Sequence, residues 1–345
     1  MSRTLRSLRP IVRAAGRHNI SYGARHMSDD ALRIGYVPEH FSTPLYFAHK
    51  YYDLNAKLIP FPSGTGHMIQ SLQNSEIDVG IGLTEGWVAG LGKSTKSNAP
   101  YKLVGTYVES PLCWAISTGS KRDDIERIEQ LKHKQVGVSR IGSGSYVMSF
   151  VLAEQQGWLK SDGSPPFEPV VLNDFAGLRK GVNEGQADFF MWEHFTSKRY
   201  FDNGEIRRIG EIYTPWSSWK IVARDPLDKR MQPMSDAINE GIAHFERKKD
   251  ESINYISKEL DYSAEDAEAW LKTVKFPQDV RGVDPIVIEK TIDTLKKAGV
   301  IDAEGGSVDD MVAIRRSSRG KSDGGQSNGG KSDNKDTVRG TVTGF

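Results

Sequence analysis

The sequence predicts an α/β protein built from two similar units, and three observations carry that prediction. Short apolar segments alternate with helix-like ones through the middle of the 345-residue chain. The same order starts a second time in mid-chain, and Gly/Ser/Thr-rich turns recur where a strand-like segment gives way to a helix-like one.

In the first unit the strand-like segments are Leu32–Val37, Ala56–Phe61, Asp78–Leu83, Tyr101–Tyr107 and Cys113–Thr118, with helical stretches between most of them. That alternation predicts largely parallel sheets. The second unit reads as a short helical segment at Ile128–Lys132, a strand at Gln135–Ser139, a helix at Ser145–Gln156, a strand at Pro169–Leu172, a helix at Leu178–Glu184 and a strand at Ala187–Trp192. Ile206–Ile212 and Trp219–Ala223 read as strands leading out. From Pro233 onward the pattern is purely helical, over Met234–Phe245, Glu251–Leu260, Ala264–Lys275 and Pro285–Ala298, with Ser235 and Ser263 as expected N-caps. These helices are expected to pack on the first unit.

The ends of the chain differ from this body. Residues 1–26 hold six arginines and no acid, with Leu5, Leu8, Ile11 and Val12 at roughly helical spacing. This is the pattern of an amphipathic mitochondrial presequence, expected over 1–27 with cleavage within 20–30 and the matrix as destination. No continuous apolar core of ~7–15 residues follows the arginines, which disfavours a secretory signal. Residues 303–345 contain nine glycines and two Gly-Lys-Ser-Asp units, with almost no large apolar residue after Ile314, and are expected to be disordered. Gly-Lys-Ser here lacks the strand and helix of a phosphate-binding loop.

Charge and cysteine content narrow the function classes. The net charge is +1, so removing the six presequence arginines leaves −5 on the remainder, which argues against a nucleic-acid partner. No apolar run approaches the ~18 residues of a membrane span, so no integral membrane segment is expected. The lone Cys113 excludes an internal disulfide and a Cys-based zinc site. The eight histidines show no metal-binding spacing. No metal, no cofactor and no catalytic residue is assigned; the partner expected is a small-molecule ligand, and the chain is expected to be a monomer or weak dimer.

Ligand chemistry should sit at the strand-to-helix turns, where helix N-termini present unpaired N–H groups. The first turn supplies Pro38, Glu39, His40, Ser42 and Thr43, with Ser42 or Thr43 as a cap before Pro44. The second supplies Ser63, Gly64 and Thr65, small residues that let backbone amides approach an anion. The third supplies Thr84 and Glu85. The fourth, with Arg140, Gly142, Ser143, Gly144 and Ser145, sets an arginine beside a Gly/Ser helix start and is the best anion cradle in the chain. A fifth segment ends in Trp192 and Glu193, an aromatic face with an acceptor beside it. Trp216 and Trp219 read equally as cleft wall or hinge brace. Glu39-His40 and Glu193-His194 each follow a strand end, where a His–carboxylate pair facing a cleft can do acid–base work. Adjacency in sequence does not place two side chains on one face, so this remains an alternative.

Four segments carry a family resemblance: Leu32-Arg33-Ile34-Gly35-Tyr36, Ile69 through Gly80, Leu131 through Val138, and Gly185 through Glu193. With a Gly/Ser-x-x-Asp unit before one strand of each half, the chain resembles type II periplasmic-binding-protein-like folds. The branch is that of nitrate/sulfonate/taurine and thiamine-pyrimidine-precursor binders, and the likeness spans about 30–300. It implies two lobes with a ligand cleft between them, lobe 1 from 28–117 plus 215–302 and lobe 2 from 118–214. It implies a binder of a small polar, anionic or heteroaromatic metabolite, in a eukaryotic, fungal-type mitochondrial member. The alternative it raises is an enzyme of thiamine-pyrimidine-type metabolism. Against that stand the absence of a cysteine-rich run and of a lysine in Asp78–Glu85, both features of the pyrimidine-synthesising members.

Overall fold

A computed structural model describes residues 30–94, 99–162 and 164–316. The presequence expected over 1–27 and residues 317–345 of the expected tail lie outside the described residues.

Two five-stranded mixed sheets form two lobes. The first has β1 (Leu32–Tyr36), β2 (Ala56–Pro60), β3 (Val79–Leu83), β4 (Lys102–Val108) and β10 (Trp219–Ala223) in the order β2-β1-β3-β10-β4. The second has β5 (Cys113–Gly119), β6 (Gln135–Val138), β7 (Glu168–Val171), β8 (Phe189–Glu193) and β9 (Ile206–Tyr213) in the order β7-β6-β8-β5-β9. The order repeats, as the double start in the sequence implies. Within each sheet the first three strands are parallel, but β10 pairs antiparallel with β3 and β4, and β5 antiparallel with β8 and β9. The sheets are therefore mixed, not largely parallel. Each lobe takes in one strand arriving from the other lobe, and that strand runs against its neighbours.

This exchange also moves the expected boundary. The expected lobe 1 runs to residue 117 and so takes in Cys113–Ser117, yet β5 sits inside the second sheet, so the chain crosses at 109–112 and returns at 214–218. The two crossovers hold each other: Leu112 N donates to Thr214 Oγ1 (2.9 Å), Thr214 N to Leu112 O (3.0 Å), and Ser218 Oγ to Ser110 O (2.8 Å).

Helices follow most strands: α1 (Thr43–Tyr51), α2 (Thr65–Gln73) and α3 (Thr84–Gly92) in the first lobe, α4 (Gly144–Gln156), α5 (Phe175–Asn183) and α6 (His194–Asp202) in the second. β3 is buried along most of its length, as a strand covered on both faces should be. Its Gly80 and Gly82 are small because Trp87 of α3 lies over them; a Cβ at Gly80 would stand 2.7 Å from the Trp87 ring. The repeated Gly/Ser-x-x-Asp units do one job in both lobes. Ser75 (φ 62°) and Gly185 (φ 73°) turn the chain out of α2 and α5 in the left-handed conformation. Three residues on, Asp78 Oδ2 accepts from Arg33 N (2.9 Å) and Asp188 Oδ2 from Gln135 N (2.7 Å), tying each strand to its neighbour. These aspartates are structural.

The C-terminal helices are α7 (Met231–Arg247), α8 (Lys249–Glu259), α9 (Ala264–Leu271) and α10 (Pro285–Lys297), with a last turn, α11, at Val308–Met311. α7 lies on α1 and α10 on α3, so they cover the first lobe as expected. Ser263 caps α9. Ser235 does not cap α7: the helix starts four residues earlier, and Ser235 Oγ donates back to Met231 O (2.9 Å). The expected disordered tail starts too early. Met311 and Val312 are buried, and bridges join Val312 to Leu103 and Arg315 to Val283, because these residues complete the edge beside β4.

Candidate functional site

The turns after β1, β2, β3, β6 and β7 and the end of β8 converge on a cavity of about 580 Å³ between the lobes. At one side two helices aim their first turns at it. α2 begins behind Gly64, whose φ of 75° and ψ of −163° suit only glycine. α4 begins behind Ser143, whose hydroxyl accepts from Tyr146 N and lies 2.9 Å from Ser145 Oγ. Among the described residues the amides of Thr65, Gly66, Gly144 and Ser145 donate to no protein acceptor. These are the orphan donors that a helix start offers to an anion.

Arg140 completes this end. A Cβ built on Gly66 would stand 2.6 Å from Arg140 Nη2, so the guanidinium of the second lobe lies over the first turn of α2 in the first. Among the described residues it has no ion-pair partner, and the surrounding walls lower its pKa by desolvation alone. An unpaired cation beside four free amides is a receptor for an anion.

Three carboxyl groups face the same space. Desolvation pushes Glu39 up to about 8, with the charge of Glu193 adding to it, and pushes Glu85 and Glu193 to about 7. Glu85, on the first turn of α3, accepts from Trp216 Nε1 through Oε2 (3.1 Å), while its buried Oε1 has no hydrogen-bond partner among the described residues. Glu193 Oε2 accepts from Thr196 N (2.6 Å) and caps α6. At the second-lobe wall Trp192 stacks on Phe175 (5.1 Å between centroids, 14° between planes). Arg179 covers Tyr200 at 3.6 Å and pairs with Glu205 at 2.8 Å.

Of the expected site residues, Glu39, Ser63, Gly64, Thr65, Glu85, Arg140, Ser143, Gly144, Ser145, Trp192 and Glu193 line the cavity. Pro38, His40, Ser42, Thr43, Thr84 and Gly142 do not. Ser42 Oγ donates to Glu39 O (2.7 Å) and Thr43 Oγ1 to His40 O (2.8 Å), closing local turns, while Thr84 Oγ1 donates to Ser217 O (2.6 Å) and ties the start of α3 to the return crossover, so none of these hydroxyls caps its helix or lines the cavity. Gly142 turns outward toward Val300 and Lys93. His40 is buried among Phe41, Tyr262 and Trp270, with ring centroids 4.3–4.5 Å away, and burial holds it neutral, well below the usual histidine pKa. Its Nε2 stands 3.7 Å from Glu193 Oε1, too far for a hydrogen bond. Trp219 is cleft wall, and Trp216 is a brace for Glu85.

Sequence reasoning missed the wall formed by Asn173, Asp174, Phe175, Ala176, Arg179 and Tyr200, and Trp114 of β5. A signal existed for the first part. The turn after β7 is the second-lobe counterpart of the Ser63–Thr65 turn after β2, so the internal repeat points to it.

The model of the Ca3427-like PBP family matches residues 114–212, the span from β5 to β9. No curated protein matches the chain. Among solved structures, the Candida albicans CA3427 gene product, described as defining a new family with the generic periplasmic binding protein fold, shares 46% identity over 81% of this chain and 92% of its own, with a TM-score of 0.71. The alkanesulfonate-binding protein SsuA from Xanthomonas axonopodis pv. citri, bound to MOPS, superposes over 81% of this chain and 97% of its own at 18% identity, TM-score 0.65. PhnD1 from Prochlorococcus marinus, in complex with methylphosphonate, does so over 79% and 99% at 12% identity, TM-score 0.55. The two distant likenesses establish the fold. At 46% identity across nearly the whole of the Candida protein, the chain belongs to the Ca3427-like family of proteins with the periplasmic-binding-protein fold.

Proposed function

We propose that this protein is a solute-binding protein that holds, between its lobes, a small ligand with an anionic head and a planar, hydrogen-bond-donating body. The observation that carries the reading is the unpaired Arg140 guanidinium lying over the free first-turn amides of α2, with those of α4 at the same cavity. An anion there neutralises a guanidinium that has no ion-pair partner among the described residues. Glu39, Glu85 and Glu193 supply acceptors for ring or amine N–H groups, and Trp192 with Trp219 supplies apolar walls. The sulfonate in the name of one fold relative and the phosphonate bound by another are anionic heads of the kind this end suits. Binding closes the lobes about the paired crossovers at 109–112 and 214–218. We place this activity in the mitochondrial matrix, a reading supported by the Arg-rich, acid-free pattern of residues 1–26.

Thermal-shift and calorimetric titration with alkanesulfonates, alkylphosphonates and amino-heteroaromatic acids test it. Stabilisation by an acid, absent for its uncharged analogue, supports the reading; a panel in which no anion stabilises the protein refutes it. A second reading, an enzyme of thiamine-pyrimidine-type metabolism on the same scaffold, rests on the three carboxyl groups held near neutrality. It requires turnover that Glu85→Gln or Glu193→Gln abolishes.

A further inference from the structure

A second cavity, of about 170 Å³, opens beside the crossover and shares Leu112 and Glu193 with the first. Its wall includes Cys113, His194 and Glu211, whose ligand atoms all lie within 4.8 Å of one another. Strand exchange brings them together. Cys113 starts β5 opposite Tyr213 of β9, and Glu211 opposes Ala115, so Cys113 and Glu211 are diagonal neighbours on one sheet face, Sγ to Oε2 3.7 Å. His194 starts α6 directly after β8, on the other side of β5. His194 Nδ1 is buried with no hydrogen-bond partner among the described residues.

We infer that Cys113, His194 and Glu211 form a binding site for a transition-metal ion of the zinc class, with an open coordination position toward the second cavity. One sulfur, one imidazole nitrogen and one carboxylate oxygen suit Zn²⁺ or Co²⁺ and not Mg²⁺ or Ca²⁺, which take oxygen ligands. Zn–S of ≈ 2.3 Å and Zn–N and Zn–O of ≈ 2.0–2.2 Å put tetrahedral donors roughly 3.3–3.7 Å apart. Cys113 and Glu211 already meet that spacing, and rotation of the side chains by about an ångström brings in His194. Three protein ligands leave the fourth position for water or a ligand. On coordination the Cys113 thiol proton leaves to solvent. Two cations oppose the ion: the Arg208 guanidinium bonds Glu211 and must swing away, and the Lys198 ammonium adds positive charge near His194, while Tyr213 Oη–H donates to the other Glu211 carboxylate oxygen (3.1 Å) and orients it. A single cysteine excludes a Cys-rich centre, but it does not exclude this mixed one.

The site stands independently of the proposed ligand cavity. Untagged full-length protein, stripped with a chelator, is titrated with Co²⁺. One equivalent should bind with a thiolate-to-cobalt charge-transfer band in the near ultraviolet, bleached by Zn²⁺. Cys113→Ser should lose the band, and Glu211→Gln should bind at least about tenfold more weakly, the lower end of what loss of even an outer-shell partner costs. Arg208→Gln should bind more tightly, a gain that misfolding cannot mimic. Absence of the band in the natural protein, its persistence in Cys113→Ser, or an Arg208→Gln variant that binds no tighter overturns the site.

Discussion

Replacing Glu85 by Gln tests the electrostatics of the cleft with almost no change of shape. The side chain is 1% exposed, and desolvation is the leading cause of a pKa raised to about 7 from an ordinary 4.5, outweighing the Trp216 N–H bond and the charge of Lys220 that both lower it. A raised carboxyl pKa means that the folded state holds a proton the unfolded chain has released, so its contribution is complete below about pH 4.5 and is lost as pH rises to about 7. At 1.36 kcal/mol per pKa unit, ionising this group in place costs on the order of 3 kcal/mol, an upper bound because the lobes can open to admit water. Gln keeps an acceptor for Trp216 and cannot ionise. The variant should therefore match the natural protein near pH 4.5 and exceed it by as much as ~3 kcal/mol above pH 8. Urea unfolding at both pH values, followed by tryptophan fluorescence, gives the difference directly. A Gln variant that is equally or less stable than the natural protein at pH 8 refutes the assignment of Glu85 as a buried, desolvated acid.

Three further outcomes follow from the same geometry. Arg140→Ala removes a charge-assisted contact worth ~1.5–3 kcal/mol, so calorimetry should show an anionic ligand losing roughly 10–100-fold in affinity while the unliganded melting temperature stays put. Gly144→Ala adds a Cβ that would stand 2.7 Å from the Trp114 ring of the same lobe and 3.1 Å from Glu85 Oε1 of the other. The buried Trp114 ring must shift to admit the methyl, which costs about 1–3 kcal/mol, so the melting temperature should fall and ligand affinity with it, because both residues line the cavity; an unchanged melting temperature and affinity would show that the ring does not pack there. Asp188→Asn weakens the bonds to Gln135 N and Arg122 Nη2, both 2.7 Å, and should destabilise the protein by about 1–3 kcal/mol without altering ligand selectivity.

Much of the architecture is legible in the chain because it is written in local patterns. The strands begin and end within a residue or two of the apolar runs, and the repeated Gly/Ser-x-x-Asp unit marks the same corner twice. Helix starts are read less well: α1 carries Ser42 at its cap position without a side-chain cap bond, and α7 begins ahead of Ser235. Hydroxyls near a helix start can bond a carbonyl three or four residues back instead of an amide ahead, and composition does not distinguish the two. The site divides along similar lines. Backbone cradles such as Gly64-Thr65 and Ser143-Gly144 are visible because glycine and serine are needed there for local reasons. His40, one residue from Glu39, turns into an aromatic box, and Arg179 reaches the cavity from the body of a helix that no local motif singles out.

What the sequence determined by itself is the content of each layer: which segments pair as strands, which turns free their amides, and that the order runs twice. Strand exchange was decided only in three dimensions. Whether Cys113–Gly119 lies with the lobe it follows or the lobe it precedes depends on which sheet offers an edge between two partners, a competition among distant segments with similar apolar content. From that one choice come the mixed sheets, the paired crossovers, the meeting of Arg140 with Gly66, and the approach of Cys113 to His194 and Glu211. Each of these is a contact between residues that no short-range periodicity connects.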